Sequence, residues 1–206
     1  MITLYGTTTS PFVRRVRVVA LEKGVELSLV PTQTDEGQAK LRLVSPIWKI
    51  PVAVFDDGRV VYDSRVIIDE LTGAGWGAMR APSTDLRGRV DEENVIHMID
   101  EALLALVRRF YTTKDGGSVD NPWFDKEQAR TTTILRHLDS LVVGDHLTAR
   151  NGQDGGFGRV ELAAVSALEW MAFRNTFDLS TTPKLQALLT SWSTRPSLQQ
   201  TKPVAA

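Results

Sequence analysis

The sequence of 206 residues contains no cysteine. That one absence removes disulfide bonds, thiolate metal ligands and a cysteine nucleophile together. Histidine is scarce as well: His97, His137 and His146 lie far apart and show no metal-ligand spacing, so no metal is expected. Neither sign of charge is in excess, since 24 Lys and Arg against 25 Asp and Glu leave a formal net charge of -1. There is therefore no electrostatic case for nucleic acid or an anionic membrane as partner. The cluster Arg14, Arg15 and Arg17 reads as the solvated face of a first helix. No apolar run approaches the ~20 residues that span a bilayer. Met1-Ile2-Thr3 lacks the basic start of a signal peptide, so a cytoplasmic location is expected. What remains is ordinary for a globular chain, 42% hydrophobic and 24% charged, and long enough for one large domain or two small ones.

Near the start, an apolar strand from Ile2 to Tyr5 runs into the hydroxyl-rich loop Thr7-Thr8-Thr9-Ser10. Ser10-Pro11 then opens an amphipathic helix to about Lys23, with Val13, Val16, Val19 and Ala20 on one face and Gly24 as its stop. A strand that delivers a hydroxyl to the positive end of a helix makes an anion site plausible, beside the simpler reading of Ser10 as a cap alone. Glu26–Val30 alternates as a strand, and Gln38–Val44 reads as a short helix. Val52–Phe55 and Val60–Tyr62 flank Asp56-Asp57-Gly58 as a hairpin, and Asp63-Ser64 starts a helix through Ile67, Ile68 and Leu71. A βαβαββα order of this kind folds as a small mixed sheet covered by helices.

Gly73, Gly75 and Gly77 mark a break in composition, which puts a first domain at residues 1–75, a linker at 76–84 and a second domain at 85–206. Beyond the linker no strand signal is clear. A long helix is expected from about Thr84 to Tyr111, with Val95, Met98, Ile99, Ala102, Leu103, Leu106 and Val107 on its buried stripe. Another starts at Asn121-Pro122. A glycine-rich loop at Asn151–Gly158 precedes a helix from Arg159 to about Arg174, whose Ala, Leu and Val content marks it as central. Thr182-Pro183 opens a last one. The glycines of the loop are no dinucleotide fingerprint, because no strand precedes them.

Four stretches in this order resemble the cytosolic glutathione transferases. Ser10-Pro11-Phe12-Val13-Arg14-Arg15-Val16-Arg17 looks like the active-site helix of bacterial members. Lys49-Ile50-Pro51 looks like the segment with the cis-proline of thioredoxin-like folds. Asp63-Ser64 looks like the acidic-Ser pair that holds the γ-glutamyl group. Phe157-Gly158-Arg159-Val160-Glu161-Leu162 looks like the capping box and staple that open the core helix of the second domain. The resemblance implies an α/β plus all-α protein: a thioredoxin-like glutathione-binding domain followed by an all-helical domain. It further implies glutathione as co-substrate, a small-molecule acceptor, a homodimer, and a detoxification type of chemistry.

The roles so implied agree with the physical chemistry. The thiol of glutathione resembles that of cysteine, with a pKa of ~8.5, so little of it is thiolate at neutral pH. A hydroxyl donor at a helix N-terminus would stabilise the anion, and that donor is Ser10 or, as a fallback, Thr9. Ile50 would offer backbone groups to the tripeptide, Lys49 would meet its glycyl carboxylate, and Asp63 and Ser64 would hold its γ-glutamyl end. The acceptor pocket is expected between the domains, near Phe12, Trp48, Arg108 and Tyr111. Two departures stand out. The family often reads Asn-Pro-x-Gly-Lys where this chain has Ser45-Pro46-Ile47-Trp48-Lys49, and Asp63 is shorter than the commoner Glu. A non-catalytic relative that holds a partner, and a disulfide reductase with glutathione as the only thiol, are the competing readings.

Overall fold

The structure is a computed structural model that describes residues 1–148 and 155–204. It divides into two compact units, residues 1–79 with 195–206, and residues 80–194. Residues 151–154 of the expected glycine-rich loop lie outside the described residues.

In the first unit, β1 (Ile2–Gly6), α1 (Pro11–Glu22), β2 (Leu27–Pro31) and α2 (Asp35–Val44) are followed by β3 (Val52–Val54), β4 (Val60–Val61) and α3 (Ser64–Thr72). The strand order is β2-β1-β3-β4, with β1 parallel to β2 and the other pairs antiparallel. Pro31 is accommodated because β2 is an edge strand, where a missing N–H costs no ladder bond. Leu4, Val13, Val16, Val19, Val52, Ala53 and Ile67 form the core of this unit. Only glycine fits at position 6, where β1 passes so close to α1 that a Cβ would stand 2.4 Å from a methyl of Val13.

The first-unit fold also absorbs the tail. The short helix α8 (Pro196–Gln200) belongs with it rather than with the helical unit, unlike the 85–206 boundary drawn from sequence. Two sets of polar bonds account for this. Arg195 pairs with Glu22 at 2.7 and 2.8 Å, and Ser197 donates to the same carboxylate. Arg14 Nη2 donates to the Leu198 carbonyl at 3.0 Å and Nε to Thr201 Oγ1 at 3.3 Å. The expectation that Arg14, Arg15 and Arg17 form a solvated face is therefore corrected. Arg14 and Arg15 are only 2% exposed, and the Arg15 guanidinium sits 5.0 Å from the Phe12 ring centre. Burial, with the nearby charge of Arg14, lowers the pKa of Arg17.

The second unit contains α4 (Leu86–Lys114), α5 (Pro122–Ser140), α6 (Arg159–Arg174) and α7 (Pro183–Trp192). A minimal hairpin, β5 (Val142–Val143) with β6 (His146–Leu147), interrupts the helices where no strand is expected from sequence. Pairs of two residues leave too short an alternation to read. Along α4 the buried stripe takes in Ile96 and Ala105, whereas Met98 and Val107 are only half-buried. Helix α6 is buried continuously from Val160 to Leu168, as its composition predicts. Its start is fixed by Glu161, wholly buried, which accepts from the backbone N–H groups of Gly158 (3.0 Å) and Leu147 (3.3 Å) and lies 3.4 Å from Arg80. Phe157 and Leu162, 3% and 1% exposed, flank that start as a staple.

Candidate functional site

Strand register brings three of the sequence stretches to one end of the first-unit sheet. Tyr5 pairs with Val52, so the loop leaving β1 toward Ser10 lies beside the residue entering β3, Pro51. Ala53 pairs with Val61 in the antiparallel β3–β4 ladder, so β4 returns to that same end and delivers Asp63 opposite Pro51. The Ser10 loop, Ile50-Pro51 and Asp63-Ser64 thus share a rim although Ser10 and Ser64 are 54 positions apart in sequence.

Ser10 is the N-cap of α1, with φ -78° and ψ 125°. Its hydroxyl accepts from the Val13 N–H at 3.3 Å, which leaves the O–H free to donate elsewhere. No acidic residue stands in the first turn of α1, so the positive end of the helix is not neutralised from within. Thr9 Oγ1 is 3.5 Å from Thr7 Oγ1, at the limit of a hydrogen bond. The hydroxyls of Ser10, Thr9 and Thr7 are all half-buried.

The Ile50–Pro51 peptide is cis, as is Tyr62–Asp63. Among the described residues, the N–H and C=O of Ile50 find no backbone partner outside the strands. Lys49 is exposed. Asp63 caps α3, accepting from the Arg65 N–H at 2.9 Å through Oδ1, and Ser64 is 2% exposed. A carboxylate that spends one oxygen on a cap retains the other for a ligand ammonium.

Trp48 occupies the left-handed region with φ 52° and is 59% exposed. A bulky residue is rare there, which gives a physical reason for the glycine that the family often has at this point. The Arg42 guanidinium covers its ring at 4.9 Å. Ser45, where the family often has Asn, is 1% exposed and its hydroxyl has no partner among the described residues.

Of the residues expected at the acceptor pocket, Phe12 and Trp48 belong to the first unit, Arg108 and Tyr111 to α4 of the second. Arg108 is held by Glu127 at 2.9 Å and lies over the Trp123 ring. Tyr111 is 43% exposed and meets Phe110 edge to face at 5.2 Å. Sequence reasoning took Arg14 for a solvated residue and passed over Arg174 and Phe110. Arg174 carried one available signal, an arginine following Phe173 at the end of a mostly apolar helix.

Residues 4–74 match the family model described as the glutathione S-transferase N-terminal domain. Over 109 residues the chain is 32% identical to the GST-like protein YibF of Escherichia coli (strain K12), spanning 50% of this chain and 52% of that protein. Over 87 residues it is 34% identical to glutathione S-transferase PM239X14 of Arabidopsis thaliana, spanning 39% of this chain and 40% of that one. The chain therefore matches about half, or less, of the length of these curated relatives. A glutathione S-transferase of Methylobacillus flagellatus KT, solved with GSH bound, superposes with a TM-score of 0.80 at 25% identity, covering 99% of this chain and 100% of that one. A glutathione transferase family member of Pseudomonas fluorescens Pf-5, with bound glutathione, gives 0.78 at 24% identity, with 100% of both chains covered.

The fold is that of the cytosolic glutathione transferases, a thioredoxin-like unit and a helical unit. Sequence similarity to that superfamily covers residues 4–74 by the family model and about half of the chain by the Escherichia coli GST-like relative. Among the described residues no group of His, Asp and Glu is placed to hold a metal ion, and no helix is long and apolar enough to cross a membrane.

Proposed function

We propose that this protein is a glutathione transferase that binds glutathione in its first unit and activates the thiol for attack on a small electrophile. The observation that carries the reading is the strand register that gathers the Ser10 loop, Ile50-Pro51 and Asp63-Ser64 at one end of the sheet. The relatives solved with glutathione bound support the choice of ligand.

In this reading the Ser10 O–H donates to the sulfur and the N-terminus of α1 adds its partial positive charge, so the thiolate is favoured. The thiol proton passes to solvent. The sulfur lone pair then forms a C–S bond to the electrophilic carbon, and the displaced group leaves with its electron pair. Each unit by which the thiol pKa falls corresponds to about 1.4 kcal/mol of stabilisation of the thiolate relative to the thiol. Ile50 pairs with the peptide backbone, Lys49 takes the glycyl carboxylate, and Asp63 and Ser64 take the γ-glutamyl end. Phe12, Trp48, Arg108 and Tyr111 remain the candidates for contact with the acceptor. The family supports a homodimer and a cytoplasmic location, and light scattering of the purified protein measures the former.

Retention on immobilised glutathione tests the reading. Binding at or below millimolar concentration is expected, and loss of binding in Asp63→Ala. No retention at that concentration favours the second reading, a non-catalytic relative, for which the bulky Trp48 beside the peptide site is the specific observation.

A further inference from the structure

Helix α1 carries the candidate thiolate site at its start, and the C-terminal tail grips that helix at two places. At the far end, Arg195 and Ser197 hold Glu22. Near the start, Arg14 donates to the Leu198 carbonyl at 3.0 Å and to Thr201 Oγ1 at 3.3 Å. Arg14 is also joined to the site itself, since its backbone N–H donates to the Ser10 carbonyl at 3.0 Å. Thr201 Oγ1 donates to the Ser197 carbonyl at 2.8 Å, which turns its lone pairs toward Arg14. Arg14, Leu198 and Thr201 are all buried.

The competing explanation is that the tail only stabilises the fold, and the charges of α1 argue against it. Helices α2, α5 and α6 each have an acid in the first turn and a basic residue in the last, as the helix dipole favours. Helix α1 reverses that order. It has no acid in its first turn, Arg14 and Arg15 in its N-terminal half, and Glu22 as its last residue. Such an order costs helix stability and makes the N-terminus more positive. Arg195 cancels the charge of Glu22, the one acid of α1. The two tail contacts of Arg14 are to neutral oxygens, which direct the guanidinium without cancelling its charge. Burial, followed by that charge, lowers the pKa of Arg17 three residues on.

We propose that residues 195–201 are a positioning element for the thiol chemistry, and that they hold the buried Arg14 charge behind Ser10 where it favours the thiolate. Arg14 touches no reacting atom in this role. It acts through the field at the start of α1, which burial leaves only weakly screened by salt. The inference rests on thiolate activation at that N-terminus, the function proposed above. It adds that the acidity of the thiol depends on Leu198 and Thr201, far from the site in sequence.

The test follows the thiolate absorbance of bound glutathione and the pH profile of kcat on a model aryl halide, using the full chain. Arg14→Met keeps the apolar stem and removes the charge. It should raise the midpoint of the bound thiol by about one unit and lower kcat about tenfold near neutral pH. The KM for glutathione should stay nearly constant, and kcat should recover in alkali as the thiol ionises. Arg14→Lys, which restores the charge, should regain most of the lost turnover. Thr201→Val leaves the charge and removes one of its guides, so it should shift the midpoint less and in the same direction. It decides the matter if Arg14→Met does not fold. Glu161→Gln weakens the other unit and should leave the midpoint at the parent value, which separates acidity from stability. A parent midpoint well below that of free glutathione, unmoved in the folded Arg14 and Thr201 variants, overturns this role of the tail and leaves the proposed function standing. A parent midpoint equal to that of free glutathione overturns both. A loss of turnover in Arg14→Met that is the same at every pH overturns the role of the tail as well.

Discussion

Arg195 and Glu22 form a two-pronged ion pair, Nε to Oε1 at 2.7 Å and Nη2 to Oε2 at 2.8 Å, across 173 residues of sequence. The pair fastens the C-terminal tail to the end of α1 and explains why residues 195–206 belong to the first unit. Burial alone would raise the Glu22 pKa, but the hydrogen bonds from Arg195 and Ser197 outweigh it and hold the carboxyl below its ordinary value of 4.5. A lowered native pKa means that the unfolded chain takes up the proton first as pH falls. The contribution is therefore complete above pH 4.5 and disappears as pH drops through the lower native value.

Glu22→Gln should accordingly cost about 2 kcal/mol at neutral pH. The deficit relative to the parent should shrink in acid, below the ordinary carboxyl pKa. Urea melts at pH 7 and at acid pH measure both. A deficit that is the same at the two pH values contradicts this role for Glu22.

Trp48 offers a second test, through its backbone. With φ at 52°, a Cβ is strained at this position and glycine is not. Trp48→Gly should be more stable than Trp48→Ala by about 1 kcal/mol, the reverse of the usual order of these two residues. Thermal melts of the two variants decide it, and an Ala variant at least as stable as the Gly variant contradicts the strain.

Glu161 joins three groups of the helical unit, the start of α6, the N–H of Leu147 in β6 and the Arg80 guanidinium. Glu161→Gln replaces one acceptor oxygen with a donor facing N–H groups and leaves Arg80 with Glu92 alone. A loss of about 3 kcal/mol is expected by chemical denaturation, because the group is fully buried. Conversely, a change below about 0.5 kcal/mol would remove Glu161 from its structural role.

Much of this architecture was legible in the chain, and the reasons differ from place to place. Ser10-Pro11 marks its helix start locally, through cap chemistry, and Asp56-Asp57-Gly58 marks the hairpin of the sheet. Lys49-Ile50-Pro51 and Asp63-Ser64 could be aligned with the family, yet their shared rim follows from strand register, which no single stretch encodes. Arg14 was misread because a charged residue at helical spacing looks solvated. The distant carbonyl of Leu198 and hydroxyl of Thr201 help to make its burial tolerable. The β5–β6 hairpin escaped notice because four residues carry no periodicity.

Separate roles for Ser10 and Asp63 predict separate kinetic signatures. Ser10→Ala should lower kcat about 10- to 100-fold on a model aryl halide with the KM for glutathione nearly unchanged. Asp63→Ala should instead raise that KM. Unchanged turnover in Ser10→Ala moves the assignment to Thr9.

The most direct measurement is the titration of the thiol in bound glutathione, followed by its ultraviolet thiolate absorbance in the parent and in Ser10→Ala. Stabilisation by Ser10 and the α1 N-terminus requires a midpoint at least about one unit below that of free glutathione, moving back toward the free value in the variant. A bound thiol that titrates like free glutathione, in both proteins, contradicts thiolate activation at this site.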